Sequence, residues 1–144
     1  MVEKNFDLEH SVSQVHDPDT MTGDADGASV DMVDYDRCTF LALVGASGDT
    51  LSATVKVELE VEESDDDSSF TDVADADLTS WVAGVNDGCF GVIDAAAEDD
   101  AVYKTTYKGS KRYVRPVINI VGTHSNGIPI GIVAIRHGKH GDSL

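Results

Sequence analysis

LSATVKVELEV, residues 51–61, alternates apolar and polar side chains without exception. A period of two places the apolar groups on one face of a β-strand and the polar groups on the other. Its β-branched residues and the absence of a 3.6-residue rhythm argue against a helix. The segment therefore predicts an antiparallel strand with one face in water. The other face would lie in the core and carry Val55, Val57, Leu59 and Val61.

Further strand candidates lie on both sides of this segment, separated by short turn sequences. They are residues 38–44, 70–73, 89–94, 101–107, 111–121 and 129–137. Pro116 predicts an edge or a bulge in its strand, since proline cannot donate a ladder hydrogen bond. Val117 or Ile118, Ile132 and Ile135 are expected in the core. About seven to nine short strands with frequent turns predict an all-β fold, an antiparallel β-sandwich or jelly roll.

The first 27 residues have a different texture from the rest of the chain. They are rich in Asp, Ser, Thr and Gly, and their apolar residues are scattered around the turn-like sequence Asp17-Pro18-Asp19. We expect an extended N-terminal arm, residues 1–27, with at most one short strand, followed by a β-sandwich domain, residues 28–144. An arm without core periodicity is expected to become ordered only against a partner.

Composition excludes several classes of partner. The net charge of -17 argues against nucleic acid, which is bound by clustered Lys and Arg. No apolar run approaches the ~18 residues that a membrane span requires. The charged N-terminus does not resemble a secretory signal, so the protein is expected to be made in a cytoplasm and not to bind membranes.

The charges are divided unequally along the chain. Residues 1–100 contain three Lys or Arg and 26 acidic residues, whereas residues 101–144 contain seven Lys or Arg and one acidic residue, Asp142. Two interpretations follow. Neighbouring strands could neutralise each other across a sheet, or the last third could form a basic docking surface on a soluble acidic body.

Motifs that carry chemistry are missing from the sequence. Cys38 and Cys89 are isolated among apolar residues and are expected to be buried free thiols. The acids at 65–67 lack EF-hand spacing, so a solvated hairpin tip is favoured over an irregular calcium site. His137 and His140 are interpreted as a polar terminus. There is no G-x-S-x-G elbow and no P-loop. We therefore expect no catalytic, cofactor or metal site and no enzyme activity.

Two stretches resemble a known family. They are VEESDDDSSFTDVADADL at 61–78 and YKGSKRYVR at 107–115. They are similar to small proteins of tailed phages and prophages that are encoded near the major capsid protein. Several of these are described as head accessory or decoration proteins. The similarity spans about residues 26–135, and the relatives usually carry Gly where this chain has Asp67.

The resemblance implies a structural virion protein on the surface of a phage head that decorates and stabilises the capsid. Its partners would be the major capsid protein and, secondarily, further copies of itself as a homo-oligomer. The candidate interface residues are Lys104, Lys108, Lys111, Arg112 and Arg115. One alternative is a head-to-tail connector or tail component. A carbohydrate-binding β-sandwich is a third, which the single tryptophan disfavours.

Overall fold

Two antiparallel β-sheets packed face to face form the fold, as the sequence predicts. The computed structural model describes residues 6–139. In chain order the elements are α1 (Phe6–Glu9), β1 (Ser11–Met21), β2 (Ala25–Asp26), β3 (Val30–Asp31), β4 (Tyr35–Val44), β5 (Lys56–Ser64), β6 (Thr71–Asp72), a 3-10 turn (Asp75–Asp77), β7 (Cys89–Ile93), β8 (Ala101–Tyr107), β9 (Tyr113–Val121) and β10 (Ile128–Lys139). Among these residues, no helix is long and apolar enough to span a membrane.

Each sheet has a simple order. Sheet A consists of four strands in the order β1-β10-β4-β8. In the six-stranded sheet B, β5 is central: it pairs with β9 on one side and with β6 and β7 on the other. The short strands β2 and β3 pair with β9 on its outer side.

The core lies between the two sheets and is built from alternate residues of the long strands. Phe40 and Ala42 of β4 and Ile132 of β10 face inward from sheet A, and Leu59 and Ile118 face them from sheet B. The predicted core residues Val57 and Val61 are also fully buried. Ile135, predicted in the core, lies on the opposite face of β10 and is half-buried. The inward positions of β10 are the even-numbered residues 130, 132 and 134.

The predicted strand 51–61 begins later than expected. Residues 52–55 form a tight turn in which Ser52 and Val55 exchange backbone hydrogen bonds of 2.9 and 3.2 Å. The Ser52 hydroxyl also accepts a hydrogen bond from the amide of Thr54, which favours a turn over an extended chain. Val55 is therefore outside the strand and only half-buried. Its place in the core was predicted wrongly, because the alternating pattern continues into the turn.

The polar face of β5 is not in water, which is a second correction. Glu58 and Glu60 are 7% and 3% exposed. The strand is central, so neighbouring side chains flank it on both sides, and Asn86 from the loop before β7 donates a hydrogen bond of 3.2 Å to Glu60. A central strand can thus bury carboxylates that have hydrogen-bond partners.

Pro116 lies where β9 has only one continuous neighbour. On its outer side the partner strand is interrupted between β2 and β3. On its inner side Pro116 faces Val61, whose amide donates to Gly88 instead. No ladder bond is lost, in agreement with the predicted edge position.

The segment predicted as an arm contains an eleven-residue edge strand. β1 pairs with β10 from Ser11 opposite Arg136 to Met21 opposite Ile128, with two bulges. Val15 and Met21 bury their side chains in the core. The strand that orders residues 11–21 is therefore β10 of the same chain. The domain boundary at residue 27 stays a prediction.

Candidate protein-binding surfaces

The buried thiols are not nucleophiles. Cys38 and Cys89 are free and fully buried, as expected. Burial raises the pKa of Cys38 to about 12 and that of Cys89 to about 11. Both groups are protonated at neutral pH and shielded from solvent, so neither is reactive.

The acidic hairpin tip uses its oxygens to build the turn. Asp66 accepts hydrogen bonds from the Ser64 hydroxyl and from the amides of Ser68 and Ser69 at 2.8–3.0 Å. These bonds, the Ser69 amide first, lower the pKa of its carboxyl. Asp65 pairs with Lys111 at 2.6 Å. Within residues 6–139, no three His, Cys, Asp or Glu side chains are placed to hold a metal ion. His140 lies outside the described residues.

Three of the five predicted interface residues pair with acids of the same chain. Lys111 contacts Asp65, and Arg112 donates two bonds of 3.1 Å to Asp31. These bonds lower the pKa of Asp31. Sheet B thus places residues of the basic last third beside acids of the first two thirds. This arrangement matches the internal-neutralisation interpretation for these residues.

Arg115 is the most enclosed of the three. Its guanidinium lies 2.6 Å from the Glu62 carboxylate and 3.3 Å from that of Asp26. It also stacks over the ring of Phe70 at 4.0 Å from the centroid. A cation held by two carboxylates and an aromatic face is structural, and it fastens the hairpin tip to sheet B.

Lys104 and Lys108 have a different environment. Both are exposed, and neither forms an ion pair with another residue of the described chain. The sequence analysis missed a third cation of this kind, Arg37. It lies on β4 one residue before Cys38, the partner of Tyr107. Arg37 and Lys104 occupy outward positions of sheet A, and Lys108 directly follows the last residue of β8.

Most cations of the chain lie at one end of the sandwich, which we call the basic end. β4 and β9 begin there, and β5, β8 and β10 finish there. Seven of the ten Lys and Arg lie in the loop 108–112 or in the strand residues nearest this end: Arg37, Lys108, Lys111, Arg112, Arg115, Arg136 and Lys139.

The opposite end, which we call the acidic end, is formed by the loops 45–55, 94–100 and 122–127. These loops contain five acids and no Lys or Arg. Asp49 holds two of them together by accepting the amides of Asn126 and Gly127 at 3.1 and 2.7 Å. The Lys and Arg residues are therefore concentrated at one end of the sandwich, whereas acids lie at both ends.

The outer face of sheet A is a second candidate surface. Its positions alternate with the core positions and are Val12, Gln14, Thr39, Leu41, Leu43, Val102, Lys104, Thr106, Gly131, Val133 and Ile135. Val12, Leu43 and Val102 are 56%, 52% and 62% exposed. No Asp or Glu occupies an outward position of β4, β8 or β10, although the chain carries 27 acids.

A groove crosses this face between β1 and β4. Its volume is about 650 Å³, and Gly131 is one of its lining residues. A side chain at Gly131 would meet the ring of Pro18 at 3.2 Å, which places Pro18 over the glycine. Leu43 and Val133 also line the groove. A groove lined mainly by apolar side chains is a feature of protein-binding surfaces.

The fold is similar to that of a prophage protein. The crystal structure of the SPBc2 prophage-derived protein YomS matches this chain with a TM-score of 0.50 and 10% sequence identity. The match covers 89% of this chain and 92% of that one. At this identity the likeness establishes the fold alone.

A second match is to the CBM22-1-GH10 modules of the Clostridium thermocellum endo-1,4-β-D-xylanase 10B. It has a TM-score of 0.42 and 14% identity, and it covers 95% of this chain and 26% of that one. No family model and no curated protein sequence matches the chain.

One sequence signal could have indicated the outer face of sheet A. CTFLALV at 38–44 and IPIGIVAI at 128–135 are nearly continuous apolar runs. A strand with one wet face alternates, as 51–61 does, whereas a continuous run is typical of a strand covered on both faces. Here only one face of each strand is covered within the chain. The assignment of a strand to each run does not by itself reveal the second apolar face.

Proposed function

We propose that the protein is a non-enzymatic structural component of a tailed-phage virion, a decoration protein that binds the outside of the head. The resemblance of residues 61–78 and 107–115 to phage head accessory proteins supports this role. A fold shared with a prophage-derived protein is compatible with it.

The uneven distribution of the cations carries the proposal. In a chain of net charge -17, seven of ten cations lie at the basic end, while the loops of the opposite end carry five acids and no Lys or Arg. A decoration protein needs one end that docks on the shell and another that stays in solvent. The basic end docks on an acidic surface of the major capsid protein, and the acidic end keeps a densely covered particle soluble.

Within the basic end, Arg37 and Lys108 are the main docking residues, since both are exposed and have no acid paired with them in residues 6–139. Lys111 and Arg112 lie beside them and retain 42% and 55% exposed side chains, so they contribute to the surrounding potential. Arg115 supports the hairpin instead. Lys104 lies further along β8, on the outer face of sheet A.

The number of copies in purified virions tests the proposal. Quantitative mass spectrometry should find the protein at a copy number comparable with that of the capsid subunits. A count that matches a single ring would indicate the head-to-tail connector or a tail component instead. Its absence from washed particles would overturn a virion role altogether.

A further inference from the structure

The outer face of sheet A has apolar side chains in its centre and opposite charges at its two edges. One row of neighbouring positions contains Lys104 on β8, Leu41 on β4, Val133 on β10 and Gln14 on β1. Gln14 donates a hydrogen bond of 2.6 Å to the carboxylate of Asp17. The row therefore runs from a cation through two apolar side chains to an acid.

We propose that this face binds a second copy of the same chain, and that the unit that joins the phage head is a two-fold symmetric dimer. The two sheets A pack face to face, with the two-fold axis parallel to the strands between β4 and β10. The inference rests on the proposed docking role of the basic end and goes beyond it by assigning a partner to a different surface.

Charge complementarity determines this orientation. A two-fold axis parallel to the strands places each row opposite the same row of the other copy, with the strand order reversed. Lys104 then faces Asp17 of the second copy, and the apolar centres coincide. An axis perpendicular to the strands would place β8 over β8 and bring like charges together.

The shape of the face is also self-complementary. In the neighbouring row, Leu43 and Val102 project from β4 and β8, whereas Gly131 has no side chain and lines the groove beneath Pro18. Reversing the strand order places Leu43 of one copy over the Gly131 groove of the other. The exposed side chains of one copy thus fill the groove of the other, as in packed sheet interfaces.

The area of the face is that of a small dimer interface. Four strands with ~4.8 Å spacing are roughly 19 Å wide, and ten residues of β4 extend about 34 Å, or roughly 650 Å² in plan. Stable interfaces bury about 800 Å² of accessible surface on each partner. The continuous apolar runs in β4 and β10 also correspond to strands covered on both faces.

The orientation of the two-fold axis is also compatible with the proposed docking role. Rotation about an axis parallel to the strands leaves both basic ends pointing in the same direction. One dimer therefore presents two docking ends to the shell and two acidic ends to solvent. Bivalent attachment strengthens binding without any new contact type, because the second docking event is intramolecular.

Analytical ultracentrifugation of the full-length protein tests the dimer. We expect a reversible dimer that Leu43→Asp converts to a monomer, since an unpaired carboxylate would enter the apolar centre. Val33→Asp is the matched control, because Val33 is similarly exposed at 49% but lies outside this face. The control should stay dimeric. Circular dichroism verifies that both variants keep the β fold.

A charge swap tests the orientation. Lys104→Asp and Asp17→Lys should each weaken the dimer about fivefold to tenfold, and the double variant should recover most of the loss. A monomer at all concentrations, or a dimer unaffected by Leu43→Asp, would overturn the inference. A dimer whose double variant shows no recovery would overturn the proposed axis.

The proposed head role and the proposed dimer can be refuted independently of each other. A monomeric protein that is still abundant on virions would refute the dimer and leave the head role intact. A dimer that is absent from virions would refute the head role and leave the self-association intact.

Discussion

The hydroxyl of Tyr107 donates a hydrogen bond of 2.7 Å to the carboxylate of Glu63. Tyr107 belongs to β8 of sheet A and is fully buried, whereas Glu63 belongs to β5 of sheet B. The same hydroxyl accepts the amide of Lys111 at 2.9 Å. Burial, followed by the bond to Glu63, raises the pKa of Tyr107, so the hydroxyl keeps its proton. One side chain thus fastens the two sheets and the loop 108–112 together at the basic end.

Tyr107→Phe should lower the free energy of unfolding by about 2 kcal/mol, because it leaves the Glu63 carboxylate and the Lys111 amide without this partner. Tyr113→Phe is the control, since its hydroxyl has no hydrogen-bond partner in the described part of the chain. Urea denaturation monitored by tryptophan fluorescence measures both. Equal effects of the two changes would mean that the bond contributes nothing to stability.

Val57→Asp should prevent folding, whereas Val55→Asp should be tolerated. Val57 is fully buried in β5, and a carboxylate there would be unpaired in the core. Val55 lies in the turn before the strand and is half-buried. The alternating sequence treats the two positions as equivalent, whereas the structure begins β5 after Val55. Soluble expression and thermal unfolding of the two variants show which description is correct.

The segment 51–61 shows what the sequence could and could not predict. Its period of two identifies the strand and its core residues Val57, Leu59 and Val61, because side chains alternate in any extended chain. The period does not reveal the number of neighbours that a strand has in its sheet. That number decides whether Glu60 is in water or buried, and it depends on the distant segment 86–92.

The sequence was equally unable to predict which cations pair with acids. The charge distribution predicts that the basic last third either pairs with acids or docks, and the structure shows which of these residues are paired. Lys111, Arg112 and Arg115 pair with acids on neighbouring strands, whereas Lys104 and Lys108 do not. Pairing depends on which strands are adjacent in space, and this was not encoded in the local pattern.

Asp67→Gly should stabilise the hairpin tip by roughly 0.5 kcal/mol. Asp67 has a φ of 58°, a left-handed conformation that glycine adopts without steric cost. Glycine is also what the proteins that residues 61–78 resemble usually carry there. Asp66→Ala is the contrasting variant and should destabilise the tip by about 1 kcal/mol, since three hydrogen bonds are lost. Thermal unfolding compares them. A destabilising Asp67→Gly would contradict the conformational argument.

Glu60→Gln should raise stability at neutral pH. Burial raises the pKa of Glu60, so its charged form is less favourable in the folded protein than in the unfolded chain. A raised folded-state pKa contributes stability that is fully present below the ordinary Glu pKa, about 4.5. That contribution is lost as the pH rises through the folded-state value. The advantage of the variant should therefore disappear in acid.

Chemical denaturation of wild type and Glu60→Gln at pH 4 and pH 7.5 measures this dependence. Glu62→Gln is a useful comparison, because that carboxylate holds Arg115 and its loss should destabilise the protein at pH 7.5. A constant difference between wild type and Glu60→Gln across the pH range would show that Glu60 has the same pKa in both states.

Neutralising Arg37 and Lys108 together should weaken head binding about tenfold. Both are exposed cations without an ion pair, so their removal changes the docking potential and leaves the described ion pairs intact. Reversal of Lys111 would be a poorer test because it also breaks the pair with Asp65. The variant Arg37→Gln with Lys108→Gln makes the net charge more negative by two.

Ala96→Glu with Thr123→Glu changes the net charge by the same amount at the acidic end, where both residues are exposed. If net charge alone governs binding, the two double variants will bind undecorated particles equally. If the basic end docks, only the first will lose affinity. Raising the salt concentration should then lower the affinity of the wild-type protein for particles towards that of the first variant. Exposed charges are screened beyond roughly 8 Å at physiological ionic strength. If neither salt nor the loss of Arg37 and Lys108 changes the affinity for particles, the contact with the capsid is made by apolar groups instead.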